Sequence, residues 1–338
     1  MQTKSRNYTI DLVRLIASFC VIALHVDLGI ANNDTIALIR LACRWAVPFF
    51  FLVSGYFYQP HFAKDPTRAL IKNCSRLLKV FVITSLIFWP ISYARTGELF
   101  KFSYLQDGTH LHLWFLPSMI LGFVFLYFLS LLHPSDKIIL GVAFLFMAFV
   151  LFKDSYANLV PGLSAIPNHH KRILLSIPCL CFGMYIRKRE DLFVRYVNWK
   201  IGTLLVVLGY GLQIIEAYFL KSIKDYPITA HQFLIGTFYM SMGVFIISLT
   251  ARSGKSKLSN WGESYSLLIY LYHPLLIISA MSLFQTTTPF LQAPLVFVLT
   301  LLMVSLIHKY LPRLFNFLSG NFTLPLENRF LLRQKPMS

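Results

Sequence analysis

The chain has 338 residues, of which 56% are apolar and only 13% charged, with a mean hydropathy of +0.61. Soluble domains carry about twice that charged fraction, so the composition excludes an ordinary water-soluble globular domain. The formal net charge of +17 would suit a nucleic-acid binder, but no basic run is interleaved with aromatic residues, and the charge follows a membrane topology instead.

The apolar residues fall in blocks long enough to cross a hydrocarbon core about 30 Å thick, which takes roughly 20 helical residues. Stretches such as 201–210 and 294–307 are apolar on both faces, which excludes the alternating pattern of a barrel. The expected fold is all-α: a polytopic transmembrane helical bundle of about ten spans. In chain order these lie near 10–30, 38–58, 77–94, 112–132, 137–152, 172–186, 200–220, 230–250, 264–284 and 293–310. The first span carries Asp11, Arg14 and His25, which are foreign to a signal peptide, so it is expected to be retained. Segments on the N-terminal side of the membrane hold 21 Lys and Arg against 7 on the opposite side. That bias puts both termini in the cytoplasm and adds attraction to anionic membrane lipids. The five cysteines lie in or at the edge of predicted spans without metal or disulfide spacing. One membrane domain over 1–310, followed by a short cytoplasmic tail over 311–338, is the expected organisation.

Ionisable groups inside a span cost at least about 2.5–3.5 kcal/mol near the helix centre, so each needs a partner or a function. Asp11, Arg14 and His25 are spaced three and eleven residues apart and share one helix face, with His25 about 16 Å beyond Arg14 along the axis. That stripe must face the bundle interior or a wet cavity. It suits an anionic reagent entering from the cytoplasm and a titratable base further in, since free histidine titrates near neutrality. A snorkelling Arg14 paired with Asp11, and a His25 bonded to a neighbouring helix, are the plain structural alternatives. Asp27, Asp34 and Glu216 are the acids available to orient His25.

The second span contains Val47-Pro-Phe-Phe-Phe-Leu-Val-Ser-Gly-Tyr56. Its proline frees a carbonyl one turn earlier, and Ser54-Gly55 permits close helix approach. Arg40 and Arg44 sit one turn apart near the expected outer surface, placed for an anionic acceptor or for interfacial snorkelling. In the following basic segment Arg68, Lys72 and Arg76 are spaced four apart. On a helix they form a cationic stripe that suits the phosphates of a nucleotide-type cofactor, and positive-inside bias explains the same stripe without a ligand.

Four motifs in order resemble the acyltransferase-3 family of polytopic acyl-coenzyme A-dependent membrane acyltransferases. They are Ile10-Asp-Leu-Val-Arg14 with His25, Val47–Tyr56, His112-Leu-Trp-Phe-Leu116, and Ser264-Tyr-Ser-Leu-Leu-Ile-Tyr-Leu-Tyr-His273-Pro. The resemblance implies transfer of an acetyl, or less often another short acyl, group from acyl-CoA to a hydroxyl of a cell-surface or lipid-linked glycan, in a bacterial inner membrane and without a metal. It makes His25 the catalytic base, Arg14 a donor-cavity residue, and Arg76 the second arginine of an Arg-x-x-Arg cofactor motif. The first arginine's place is taken by Asn73, with Lys72 beside it as a substitute that lacks the forked guanidinium; the residue after Arg14, often glycine in the family, is Leu15. Asp11, Arg40, Arg44, Ser54, Trp114 and His273 are the remaining candidates for lining the substrate cavity. Direct attack by the acceptor and an acyl-histidine relay both remain open. The rival expectation is a secondary transporter with Asp11, Arg14 and His25 as its pathway; a scaffold is a third.

Overall fold

The computed structural model describes residues 6–26, 34–157, 159, 169–224, 228, 231–279 and 289–323, and among them every regular element is helical. In chain order these are α1 (Tyr8–His25), α2 (Asp34–Cys43), α3 (Ala46–Lys64), α4 (Pro66–Thr96) and α5 (Tyr104–Asp107). A 3-10 turn (Leu111–Trp114) leads into α6 (Phe115–Leu131), α7 (Asp136–Ser155), α8 (His169–Leu174), α9 (Ser176–Lys188) and α10 (Glu190–Tyr196). The chain continues through α11 (Trp199–Lys224), α12 (Ile235–Thr250), α13 (Lys257–Ser279), α14 (Pro289–Tyr310) and α15 (Pro312–Leu318).

Each of the ten expected segments falls on a helix. Seven helical stretches among the described residues have the length and apolarity of a membrane span. The three segments on α9, α12 and α13 do not. The first two have 13 and 16 residues, and α13 opens on the polar run Lys257–Ser266. Apolar side chains such as Leu78, Val82 and Leu86 on α4 and Leu204, Val207 and Leu208 on α11 are exposed, a surface suited to lipid.

Local chemistry sets several helix ends. The Asn7 side chain accepts the N–H groups of Thr9 and Ile10 at 3.0 and 3.3 Å, and Asp65 accepts that of Arg68 at 2.9 Å ahead of Pro66, both N-caps. Gly97 ends α4 in the left-handed region at φ 68°, which glycine adopts without a Cβ penalty. The second expected span is broken at Arg44–Trp45 into α2 and α3. Pro48 has no N–H to offer the Arg44 carbonyl four residues earlier, and the helix parts there.

Three helix pairs pack most closely: α11 with α12, α3 with α9, and α1 with α13. Each depends on glycine. Gly202 and Gly209 on α11 meet Gly243 and Gly236 on α12, backbone against backbone. A Cβ on Gly55 would overlap the Leu180 carbonyl, one on Gly183 the Leu52 carbonyl, and one on Gly262 the Asp11 carbonyl. Ser54-Gly55 therefore divides its work, with Gly55 toward α9 and Ser54 on the other side. The charged hydrogen bonds from Lys188 and Arg189 to Asp136, at 2.7 and 2.8 Å, tie the end of α9 to the start of α7.

Candidate active site

Arg14 and Arg76, from α1 and α4, line a cavity of about 540 Å³ together with Ser54, Asn73, Glu263 and Ser319. Arg14 is held by Asp11 at 3.5 Å. Asp11 is buried and also accepts Arg6 at 2.7 Å, and Arg6 reaches Glu263 at 2.6 Å. Asp11 is thus the hub of an ion-pair network joining α1 to α13, and it does not itself line the cavity. Ser54 donates to the Phe50 carbonyl of its own helix at 2.7 Å. Arg76 donates through Nε to the Ser319 carbonyl at 3.2 Å, and Lys79 donates to the Phe322 carbonyl. Residues beyond 310, expected as a tail, therefore build part of the wall. Phe315 stacks on His308 at 4.2 Å, and Phe315, Ser319 and Asn321 line the cavity.

The cationic stripe is split by this geometry. Arg76 and Asn73 face the cavity, whereas Lys72 is exposed and lies outside its lining. Successive residues on a helix diverge by about 100°, so a lysine at 72 does not reach the space an arginine at 73 would occupy.

At its inner end the cavity meets Phe50, Phe115 and Tyr270. The Phe115 and Tyr270 rings lie 5.0 Å apart, and Phe50 stands edge-on to them at 6.2 and 6.4 Å. Behind this aromatic layer lies a cluster of imidazoles. His25 is 5.3 Å from His273 and 6.5 Å from His112, and His112 is 5.8 Å from His273, ring centre to ring centre. The tautomers follow from the partners. His112 Nε2 is 2.9 Å from the Leu271 carbonyl, which only accepts, so that nitrogen carries the proton. His112 Nδ1, 2.7 Å from His110 Nδ1, then accepts from His110. His273 Nδ1 donates to the Tyr270 carbonyl at 2.8 Å and the Ile269 carbonyl at 3.2 Å. Pro274, lacking an N–H, leaves the Tyr270 carbonyl without its helical donor, and the imidazole fills that place. The other nitrogen, His273 Nε2, is buried with no hydrogen-bond partner. Tyr270 donates its hydroxyl to the His112 carbonyl at 2.7 Å, tying the aromatic layer to the cluster.

His25 is the last residue of α1 and remains accessible among the buried Ile22, Ala23 and Val26. Arg40 donates to the Val26 carbonyl at 3.2 Å, fixing the end of that helix. Of the two residues expected to share one passage, Arg14 lines this cavity and His25 lies outside its lining; Tyr270, which does line it, packs against His112 and His273 at 6.0 and 6.4 Å, and His273 in turn lies against His25. Arg40 and Arg44 also lie outside that lining, on α2 and at the α2–α3 break. Trp114 packs on Phe51 at 6.3 Å, in the aromatic core beside the layer. Of the acids offered for orienting His25, Asp34 accepts Lys221 and the Tyr218 hydroxyl, both at 3.3 Å. Glu216 accepts the Tyr156 hydroxyl at 2.6 Å and the N–H groups of Ile235 and Gly236 at 3.2 and 2.9 Å, capping α12. Asp27 lies outside the described residues. Sequence reasoning quoted His112 within a motif but gave it no role, and missed His110, whose His-x-His spacing ahead of Trp114 was the available signal. It also missed Tyr270 and Glu263.

Known proteins supply an independent line. The curated relatives include a serine/alanine racemase of Enterococcus gallinarum, 28% identical over 296 residues, covering 80% of this chain and 40% of that protein. Two amino-acid racemases of Enterococcus faecalis match at 28% over 176 residues, 48% of this chain and 24% of theirs, and at 24% over 303 residues, 81% and 42%. This chain thus spans about two fifths or less of the relatives it matches. No solved structure matches. The family described as an acyltransferase domain, acyltransferase-3, matches residues 7–309, from the cap of α1 almost to the end of α14 and across every helix that builds the cavity and the histidine cluster save α15. With its apolar helices and this match, the chain belongs to the acyltransferase-3 family of membrane acyltransferases.

Proposed function

We propose that the chain moves an acetyl, or other short acyl, group from acyl-CoA to a hydroxyl of a cell-surface or lipid-linked glycan, with ten spans, both termini in the cytoplasm and residence in a bacterial inner membrane. The observation that supports this reading is a cavity with two arginines whose aromatic lining, through Tyr270, packs against an imidazole cluster. Acyl-CoA supplies an activated thioester carbonyl. Arg14 and Arg76 offer charge-assisted hydrogen bonds to its phosphates, and a cavity of about 540 Å³ is within the size range of small-molecule sites. To reach His25 the acyl group passes from this cavity beyond Tyr270, whose ring meets His112 and His273.

His25 takes the proton of the acceptor hydroxyl as its oxygen bonds to the thioester carbonyl carbon. Collapse of the tetrahedral adduct breaks the carbon–sulfur bond, and the leaving thiolate recovers the proton from the imidazolium. The ester and the free thiol are the products, and His25 ends as it began. Racemisation is said of the relatives, which are much longer proteins, and no step here depends on it.

The test compares surface glycans, by mass and by acetyl proton signals, from cells with the intact chain and with His25→Ala at equal membrane abundance. The expected outcome is loss of one acetyl group per modified unit, a fall in rate of roughly 10²–10⁴-fold. Unchanged acetylation would remove His25 from the reaction.

A further inference from the structure

A histidine base that takes a proton at one nitrogen carries a proton on the other, and that N–H needs an acceptor to hold the ring in place. In many sites the acceptor is a carboxylate. Here Asp34 and Glu216 are bonded elsewhere. His112 has no lone pair to give, since Nδ1 receives His110 and Nε2 carries the proton donated to the Leu271 carbonyl.

We infer that His273 is the positioning residue for His25, its Nε2 accepting the N–H of the His25 ring that faces away from the reacting hydroxyl. The inference rests on the reading of His25 as the base. Three observations carry it. His273 is fully buried, and Nε2 has no hydrogen-bond partner. Its tautomer is fixed by the main chain, because Pro274 leaves the Tyr270 carbonyl open and Nδ1–H fills it at 2.8 Å, so Nε2 is an acceptor. The His25 and His273 ring centres are 5.3 Å apart at a 38° tilt, so a turn of the His25 ring about its side-chain bonds is enough to bring an N–H to the open Nε2. The His-Pro pair of α13 is thus a device that presents a neutral lone pair to the base. A neutral acceptor steadies the imidazolium less than a carboxylate does, and it introduces no buried charge that would need its own partner.

The full-length chain in membranes of the cells that make it, which carry the acceptor, provides the assay, with labelled acetyl-CoA as probe and membrane abundance measured for every variant. His273→Phe should lower kcat roughly 100-fold while the KM for acetyl-CoA stays within about twofold. His273→Gln brings a carbonyl oxygen close to the place of Nε2, an acceptor with no proton affinity, and should recover at least about tenfold of that loss. Wild-type kcat in His273→Phe, or a Gln variant no better than Phe at normal abundance, overturns the inference. Where His273→Phe fails to reach the membrane, the Gln variant decides alone: kcat within about tenfold of wild type sustains a hydrogen-bonding role, and a hundredfold loss overturns it. His25→Ala run alongside separates the two claims, since full transfer without His25 defeats the reading of the base whatever His273 does.

Discussion

Arg14 and Arg76 stand at an open cavity on long, partly accessible side chains, whereas His112 and His273, one aromatic layer further in, are wholly buried and fixed by main-chain carbonyls. The first region offers charge on groups that can adjust their position. The second fixes the direction of individual lone pairs and protons by main-chain bonds. Under the proposed function, recognition falls to the first and chemistry to the second, and substitutions in the two regions should fail differently.

The largest effect is expected from His112→Ala, which removes a fully buried ring together with its bonds to His110 and the Leu271 carbonyl. The lost bonds and the space left behind cost about 2–4 kcal/mol, to be seen as a lower unfolding temperature of the purified protein; a variant as stable as wild type would show that these bonds do not fix the cluster. A smaller and different effect is expected from Arg76→Ala. Losing one charge-assisted bond, about 1.5–3 kcal/mol, should raise the KM for acyl-CoA roughly tenfold or more with kcat nearly unchanged. A fall in kcat at constant KM would break the comparison, since it would put Arg76 among the groups that act on the transition state. Smallest of all is Lys72→Ala. An exposed residue off the cavity should change stability by no more than about 0.5 kcal/mol and leave KM as it was; a KM shift as large as that of Arg76 would mean that the stripe acts as a whole.

The helices were legible because hydrocarbon imposes its length requirement on the sequence directly, and the apolar blocks record it. The ionisable residues of α1 stood out for the same reason, since charge inside a span has few places to go, but their shared cavity did not follow: Arg14 lines it, and Asp11 and His25 do not. What escaped the sequence depends on contacts between distant segments. Arg76 meets Ser319 across 243 residues, so the wall built by residues 312–323 left no local trace. The aromatic layer draws on Phe50, Phe115 and Tyr270, each of which reads as ordinary apolar filling in its own helix. Lys72, expected beside Arg76, is exposed and outside the cavity lining, because adjacency along the chain is a poor guide to direction on a helix. His112 was overlooked in favour of Trp114, although only the histidine bonds into the cluster.

Gly262 lies so close against the Asp11 carbonyl that α1 and α13 cross with no side chain between them, and the Ser18 hydroxyl donates to the Ser266 carbonyl at 3.2 Å a little further along the same crossing. The helices bearing His25 and His273 are thereby keyed together like two halves of a clamp. The distance between the two imidazoles is thus set by backbone contact rather than by the packing of flexible side chains, and the pair is built as one rigid unit.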